Sequence, residues 1–91
     1  MTEIKTLKKI DASSAPKLDA ELKEAIAGGE LELIVNMEET IYISSVGLRA
    51  FASAQKKMNK LGGSMVLKGV QACIKEIFEV TGFGGILTFE D

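Results

Sequence analysis

Stretches with helical spacing alternate with short apolar runs along this 91-residue chain, and no other feature constrains the fold as strongly. Apolar side chains that recur every three or four residues predict helices over 15–27, 45–61 and 71–81. Apolar runs of strand length predict strands over 3–10, 30–37, 64–68 and 86–89. This order is typical of an α/β domain with three helices on a mainly parallel, four-stranded sheet, and the length predicts a single domain over 1–91.

The ends of these elements carry signals of their own. Ser14 has the side chain of a helix N-cap, and Pro16 fits the first turn because its missing N–H costs nothing there. Glycines follow all three predicted helices, as is common at helix ends. The consecutive apolar residues 33–35 (LIV) predict a strand that is covered on both faces.

The composition excludes several classes of function. A single cysteine, Cys73, cannot form an internal disulfide, and without histidine we expect neither a zinc site nor histidine-based catalysis. A net charge of −2 gives no overall attraction to nucleic acid. No run of about 18 apolar residues predicts a membrane span. Residues 1–5 lack the apolar core of a signal peptide, so we expect a cytoplasmic protein. From the composition we expect no metal, no cofactor and no catalytic residues.

Two serines lie at the start of the second predicted helix. Ser44 or Ser45 can cap that helix, and capping alone explains the pattern. The first backbone N–H groups of a helix also favour an anion, so a phosphate on a serine here would be stabilised. Because a phosphate adds about −1.5 to −2 charges, it would change this surface greatly, and the segment is a candidate switch.

One face of the second helix is basic. Its cationic side chains are Arg49, Lys56, Lys57 and Lys60. A solvated face is the ordinary interpretation, and lysines in the last turn also suit the helix dipole. Docking of an acidic protein partner is the alternative.

Four segments carry motifs in a defined order. Residues 43–49 (ISSVGLR) resemble a D-S-S-G-L region of which I-S-S-A-G-L-R is a frequent variant, and residues 10–16 (IDASSAP) resemble a G-x-L-D-A-x-T-A-P stretch. Residues 61–67 (LGGSMVL) resemble L-G-G-x-L-x-L, and residues 77–83 (IFEVTGF) resemble L-x-x-T-G-L. Together these motifs are similar to those of the anti-sigma factor antagonists of the STAS domain family, over about residues 9–89.

The resemblance implies a STAS-like fold and a binding module rather than an enzyme. In that family the unphosphorylated protein binds an anti-sigma factor and frees the sigma factor. The anti-sigma factor is itself an ATP-dependent serine kinase, and it phosphorylates the serine two residues before the motif glycine, which blocks binding. That serine is Ser45 here, which the resemblance makes the phospho-acceptor. The partner-binding residues implied in the same way are Asp11, Ser13, Ser44, Gly47 and Arg49.

Three of these positions lie at the start of the second predicted helix. Ser44 stands where the family often has aspartate. Gly47 would let the partner come close to the start of the helix, and Arg49 would lie one turn further along.

The sequence departs from the family pattern before the first helix. The family usually has two strands there, whereas the residues before Asp11 have room for one, and Lys9 replaces an expected glycine. A missing strand would shorten the fold at its N-terminus and leave a sheet edge with unpaired backbone groups. We therefore expect pairing through that edge, either in a homodimer or with another chain.

Two further classes of function stay open. A STAS module of a stressosome or of a lipid-transport complex would share the fold and act by binding without phosphorylation. A small-molecule binder or an enzyme would need a polar pocket with perturbed acids, and the sequence shows no sign of one.

Overall fold

The computed structural model describes residues 2–90 and has an α/β architecture in which every strand pair is parallel. The helices are α1 Ala15–Ala27, α2 Ser45–Lys60 and α3 Ala72–Val80, and a 3₁₀ helix spans Phe83–Gly85. The strands are β1 Thr2–Lys5, β2 Lys9–Ile10, β3 Glu32–Asn36, β4 Tyr42–Ile43, β5 Ser64–Lys68 and β6 Thr88–Glu90. The main sheet has four strands in the order β1-β3-β5-β6, and β2 and β4 form a separate two-stranded ribbon. The predicted fold class is confirmed.

The core lies on one face of the main sheet. The register places Ile4, Val35, Leu67 and Phe89 in one row across all four strands. Because paired residues of parallel strands point to the same side, this row and its neighbours form one apolar surface. Apolar residues of all three helices join it in a single cluster, among them Leu22, Ile26, Phe51, Met58, Ile74 and Phe78.

The opposite face of the sheet is not covered in the same way. Ile34 pairs with Val66, and both are only half-buried, whereas Leu33 and Val35 are buried. Successive residues of a strand point to opposite faces, so the apolar run 33–35 divides between the core and the open face. The prediction of a strand covered on both faces is therefore wrong, because the apolar faces of the helices join the core on one side of the sheet.

Two short strands, not one, precede Asp11. The chain leaves the main sheet after β1, and β2 then pairs with β4 through Lys9–Tyr42 and Ile10–Ile43. This ribbon corrects the predicted single strand over 3–10, and it adds a strand, β4, where the sequence predicted none. Its buried side is formed by Ile10 and Ile43, which belong to the same core as Ile4.

The last strand, predicted over 86–89, is β6, which begins two residues later and ends one residue later than predicted. The 3₁₀ helix occupies the residues just before it, and Leu87 is buried in the connection. Phe89 then contacts the ring of Phe78, with ring centroids 5.5 Å apart.

Two buried threonines hold the ribbon to the sheet. The Thr40 hydroxyl donates to the backbone oxygen of Leu7 at 2.7 Å, and Thr40 and Thr6 hydroxyls are also hydrogen-bonded to each other. The Thr6 hydroxyl also lies within hydrogen-bonding distance of the Asn36 oxygen, at 3.2 Å, so the proton in the Thr6–Thr40 bond can come from either hydroxyl. The Thr6 N–H donates to Asn36 in β3 at 3.0 Å, so the chain that links β1 to β2 is fixed at both ends.

We expect Thr40→Val to destabilise the protein by about 1–3 kcal/mol. The substitution keeps the shape of the side chain, but the Leu7 carbonyl and the buried Thr6 hydroxyl each lose a hydrogen-bond partner. Urea unfolding followed by circular dichroism measures this loss. Thr88→Val is the matched control, since Thr88 is exposed on β6 and should change stability by no more than about 0.5 kcal/mol. Equal stabilities of the two variants would contradict the role of the threonine pair.

Candidate functional site

Ser44 is the N-cap of α2. Its backbone is extended, with φ −88° and ψ 168°, and its side-chain oxygen accepts a hydrogen bond from the Gly47 N–H at 3.3 Å. The Ser44 N–H donates to the Ile10 oxygen at 2.7 Å, and this bond fastens the start of α2 to β2. Of the two serines that the sequence left open as caps, Ser44 has this role.

Ser45 is the first residue of α2 and is exposed. Its hydroxyl forms no hydrogen bond with any residue in the described part of the chain, 2–90. The first N–H groups of a helix have no intrahelical partner, and the first turn of α2 carries no acidic side chain. An anionic group on Ser45 would therefore lie at the positive end of the helix dipole without a competing carboxylate in that turn.

Gly47 is buried beneath these serines. A β-carbon at this position would lie 2.7 Å from Ile10 Cγ2 and 2.9 Å from Ile43 Cγ1, closer than side chains can approach. Glycine is thus required because both strands of the ribbon pack against the first turn of α2. The sequence placed Gly47 among the residues facing a partner, and a buried position does not fit direct contact.

A tight turn formed by residues 11–14 lies next to the start of α2, because Ile10 bonds to Ser44. Asp11 Oδ1 accepts hydrogen bonds from the Ser13 N–H at 3.0 Å, the Ser13 hydroxyl at 2.7 Å and the Ser14 N–H at 3.0 Å. These bonds, the Ser13 hydroxyl foremost, lower the pKa of the Asp11 carboxyl from 3.8 to about 2. The turn therefore presents a fixed negative charge.

Ser14 occupies the N-cap position of α1, as predicted, but its side chain caps no N–H of the helix. Its hydroxyl donates to the Lys9 oxygen at 2.9 Å and accepts from the Asp11 N–H at 2.9 Å, so it braces the turn. The Asp11 side chain accepts from the N–H groups of Ser13 and Ser14, and its carbonyl accepts from the Ala15 N–H at 2.8 Å. The spacing D-x-S-S, in which a carboxylate precedes two serines, is the sequence signal for this arrangement.

Arg49 lies one turn after Ser45 and is exposed. It lines a shallow groove between α1 and α2 together with Pro16, Asp19, Val46 and Ser53. Asp19 is paired with Lys23 at 2.8 Å, and Arg49 forms no ion pair within residues 2–90. Its guanidinium is therefore available to a partner.

The structure brings most of the predicted site residues together at the N-terminus of α2. Ser44, Ser45 and Arg49 belong to the helix, and Asp11 and Ser13 belong to the adjoining turn. Exposed apolar residues of the ribbon were missed, notably Ile41 at 44% exposure and Tyr42 at 48%. The apolar character of residues 41–43 was the available signal, and a strand of two residues is too short to show alternation.

The described residues include neither a cluster of metal ligands nor a membrane-spanning helix. Within 2–90, no three or more cysteine, aspartate and glutamate side chains come together as a metal site would require. Over the same range, no helix is long and apolar enough to cross a membrane.

We expect Gly47→Ala to destabilise the protein by about 1–2 kcal/mol, because overpacking of the buried isoleucines exceeds the gain in helix propensity of about 1 kcal/mol. Thermal and urea unfolding measure the change. Gly85→Ala is the control, since a β-carbon there meets no atom within 4 Å and the φ is not positive. A Gly47→Ala protein as stable as the parent would show that packing does not require the glycine.

The Asp11 carboxyl should titrate near pH 2 in the folded protein, and Ser13→Ala should raise its pKa by removing the largest cause of the shift. Because the folded pKa lies below that of the unfolded chain, the stabilisation by the ionised carboxylate is present above about pH 4 and is lost as the pH falls towards 2. Carbon-detected NMR titration of Asp11 checks both statements. Ser53→Ala is the control. An unchanged Asp11 pKa in Ser13→Ala would show that the Ser13 hydroxyl does not lower that pKa.

Comparison with known proteins places this geometry in a family. The sequence model of the STAS domain matches residues 4–91. BtrV of Bordetella bronchiseptica, a candidate anti-sigma factor antagonist, is 31% identical over 74 residues, which make up 81% of this chain and 64% of BtrV. The chain thus spans less than two thirds of the length of that relative. The anti-sigma-B factor antagonist of Staphylococcus aureus is 28% identical over 85 residues, which are 93% of this chain and 79% of that protein.

Solved structures share the fold. The anti-sigma factor antagonist SpoIIAA in its unphosphorylated form superimposes with a TM-score of 0.82 at 17% identity, over 98% of this chain and 78% of SpoIIAA. The phosphorylated form of SpoIIAA, a cell fate determinant of Bacillus, gives a TM-score of 0.76 at 18% identity, over 98% of this chain and 81% of that chain. With the family match extending over 4–91, the chain belongs to the STAS domain family.

Proposed function

We propose that this chain is an anti-sigma factor antagonist whose binding is switched off by phosphorylation of Ser45. The observation that carries the proposal is the exposed Ser45 hydroxyl, free of hydrogen bonds within 2–90, at the first position of a capped helix. The descriptions of BtrV and of the Staphylococcus protein as antagonists support this role. SpoIIAA, which has the same fold, exists in unphosphorylated and phosphorylated forms.

The proposed partner is an anti-sigma factor that is also an ATP-dependent serine kinase. Residues 1–91 act as one cytoplasmic binding module without a cofactor, catalytic residues or contact with nucleic acid, and ATP is bound by the partner. The unphosphorylated surface offers the partner three kinds of contact: the Ser45 hydroxyl, the fixed Asp11 carboxylate and the unpaired Arg49 guanidinium. Binding of this surface would release the sigma factor.

Phosphorylation would act on this surface through charge. The phosphate carries about −1.5 to −2 charges and would be stabilised on the chain itself by the dipole of α2. It would lie at the same end of the molecule as the Asp11 carboxylate, so an interface that accommodates one carboxylate would meet a second, larger negative charge. The phosphorylated chain should therefore stay folded and lose its partner, as a switch requires.

Pairing of two copies through the sheet edge is a separate proposal. β1 is an edge strand of the main sheet, so a row of backbone groups on its outer side has no strand partner within 2–90. The switch does not depend on this pairing. Sedimentation at high concentration decides it, and a monomer there would rule the pairing out.

Incubation with the anti-sigma factor kinase and ATP should add a single phosphate to Ser45, and intact-mass and peptide analysis should find none in Ser45→Ala. Ser45→Asp should bind the unmodified partner at least about 100-fold more weakly, because a like charge in an interface costs several kcal/mol. The same substitution should stabilise the fold by about 0.3–1 kcal/mol, since an acidic group at a helix N-terminus is favourable. Calorimetric binding and thermal unfolding give the two readouts.

Ser53→Asp is the matched control, because Ser53 is an exposed serine of α2 beyond its first turn. In the parent chain, Ser53 should accept no phosphate. The Ser53→Asp variant should lack the gain in helix stability expected of Ser45→Asp. Binding of the unmodified chain without any phosphate on Ser45 would favour a STAS module that acts by binding alone, as in a stressosome or a lipid-transport complex. Absence of any binding to an anti-sigma factor would reject the proposed function.

A further inference from the structure

The β2–β4 ribbon and the residues leading into it present an exposed surface that the switch does not use. We name it the ribbon surface, and it consists of Leu7, Lys8, Lys9, Ile41 and Tyr42. Lys9 and Tyr42 are direct cross-strand partners, and the Ile41 N–H donates to the Lys8 oxygen at 2.8 Å. The Leu7 carbonyl accepts from the hydroxyl of Thr40, the residue before Ile41, so hydrogen bonds join the two segments along their length.

Exposed apolar side chains concentrate in this part of the molecule. Leu7 is 57% exposed, Ile41 44% and Tyr42 48%, and Val46 in the following helical turn is 42% exposed. These four are half of the large apolar side chains that are exposed within residues 2–90. Single exposed apolar residues need no explanation, whereas a cluster that adjoins a candidate binding site is typical of an interaction surface.

The charge of the ribbon surface is positive. Lys8 and Lys9 are exposed and form no ion pair within the described residues, whereas Lys5 is paired with Glu39 at 3.1 Å. An apolar patch flanked by unpaired lysines is complementary to an apolar patch flanked by carboxylates. The exposed Tyr42 belongs to the residue types that contribute most to binding at protein interfaces.

The ribbon surface is held rigidly next to Ser45. The buried Thr40 fixes one end of the ribbon, and the bond between the Ser44 N–H and the Ile10 oxygen fixes the other end to α2. A partner that binds here would not have to order a loop, so little conformational entropy is lost. A partner that covers Ser45 would also reach the ribbon, because a standard interface buries about 800 Å² on each side and a single helical turn offers much less.

We infer that the ribbon surface is the part of the interface that selects the partner, and that it receives an acidic-rimmed apolar patch of the anti-sigma factor. This inference rests on the proposed function and adds to it a second set of contacts. Ser45 determines whether the partner binds, and the ribbon surface determines which partner binds. The ribbon carries no phosphorylated residue of the switch, so its contribution should be the same in every form that binds.

Binding of the anti-sigma factor to the unmodified chain, in the absence of ATP, tests the inference. Lys9→Glu and Tyr42→Ala should each weaken binding by about tenfold or more, as expected for charge reversal and for loss of an aromatic anchor. The effect of Lys9→Glu should shrink at high salt, since screening weakens charge interactions at exposed sites, and the effect of Tyr42→Ala should not. Circular dichroism and thermal unfolding verify that each variant is folded.

The matched controls lie at the other end of α2. Lys60→Glu and Leu61→Ala repeat the same two kinds of change on exposed residues, at a distance of about 22 Å from Ser45 along the helix. Both should bind within about twofold of the parent, because rim and non-interface changes are worth little. Equal losses in the ribbon variants and in these controls would overturn the selective role of the ribbon.

The possible failures are distinguishable. If Ser45→Asp weakens binding and neither ribbon variant does, the inference is overturned and the proposed function stands. If the parent chain binds no anti-sigma factor, both fall together. If a ribbon variant does not fold, Lys8→Glu replaces it, since Lys8 lies outside the strands and its charge reversal should give the same salt-dependent loss.

Discussion

The packing of two buried isoleucines on the first turn of α2 is the contact on which the rest of the site depends. Ile10 and Ile43 fill the space that any side chain at position 47 would occupy. The bond from Ser44 to Ile10 adds a directional link across the same contact, at 2.7 Å. A glycine in a helical turn costs about 1 kcal/mol in propensity, and here it permits the ribbon, the capping serine and the exposed Ser45 to form one rigid unit.

Charge at this end of the molecule is controlled by backbone geometry rather than by ion pairs. The Asp11 carboxylate is held by two N–H groups and a hydroxyl of its own turn, so it stays ionised without a cation beside it. The start of α2 offers N–H groups in the same way and carries no acid in its first turn. One site is thus already occupied by a negative charge, and the neighbouring one would favour the phosphate of the proposed modification. Under the proposed function, a single phosphate would therefore change the charge of this end of the molecule.

Much of the fold could be predicted from the sequence, and the errors have common physical causes. The long α2 was predicted nearly to the residue because sixteen positions give a clear period. The ribbon was missed because two-residue strands have no period, and their pairing depends on contacts distant in sequence. Ser14 was correctly placed at the N-cap of α1, but its hydroxyl bonds to Lys9 and Asp11 in the turn and not to an N–H of the helix, and serine alone does not reveal that choice. The serine motif predicted a candidate site at the start of α2, whereas the burial of Gly47 depends on packing against the ribbon and could not be predicted from the sequence.

Selection and switching make different demands on a surface, and the two surfaces proposed here would separate them. A switch residue must be exposed, unbonded and free to accept a phosphate, so it can contribute little binding energy of its own. Exposed aromatic and aliphatic side chains contribute more, but they do not change when a kinase acts. The ribbon offers the second kind of surface and the first turn of α2 offers the first, with Ile10 linking them. Because the two are held in a fixed relation, a partner selected by the ribbon would place its own surface over Ser45. A phosphate there would then act against the partner that the ribbon selects.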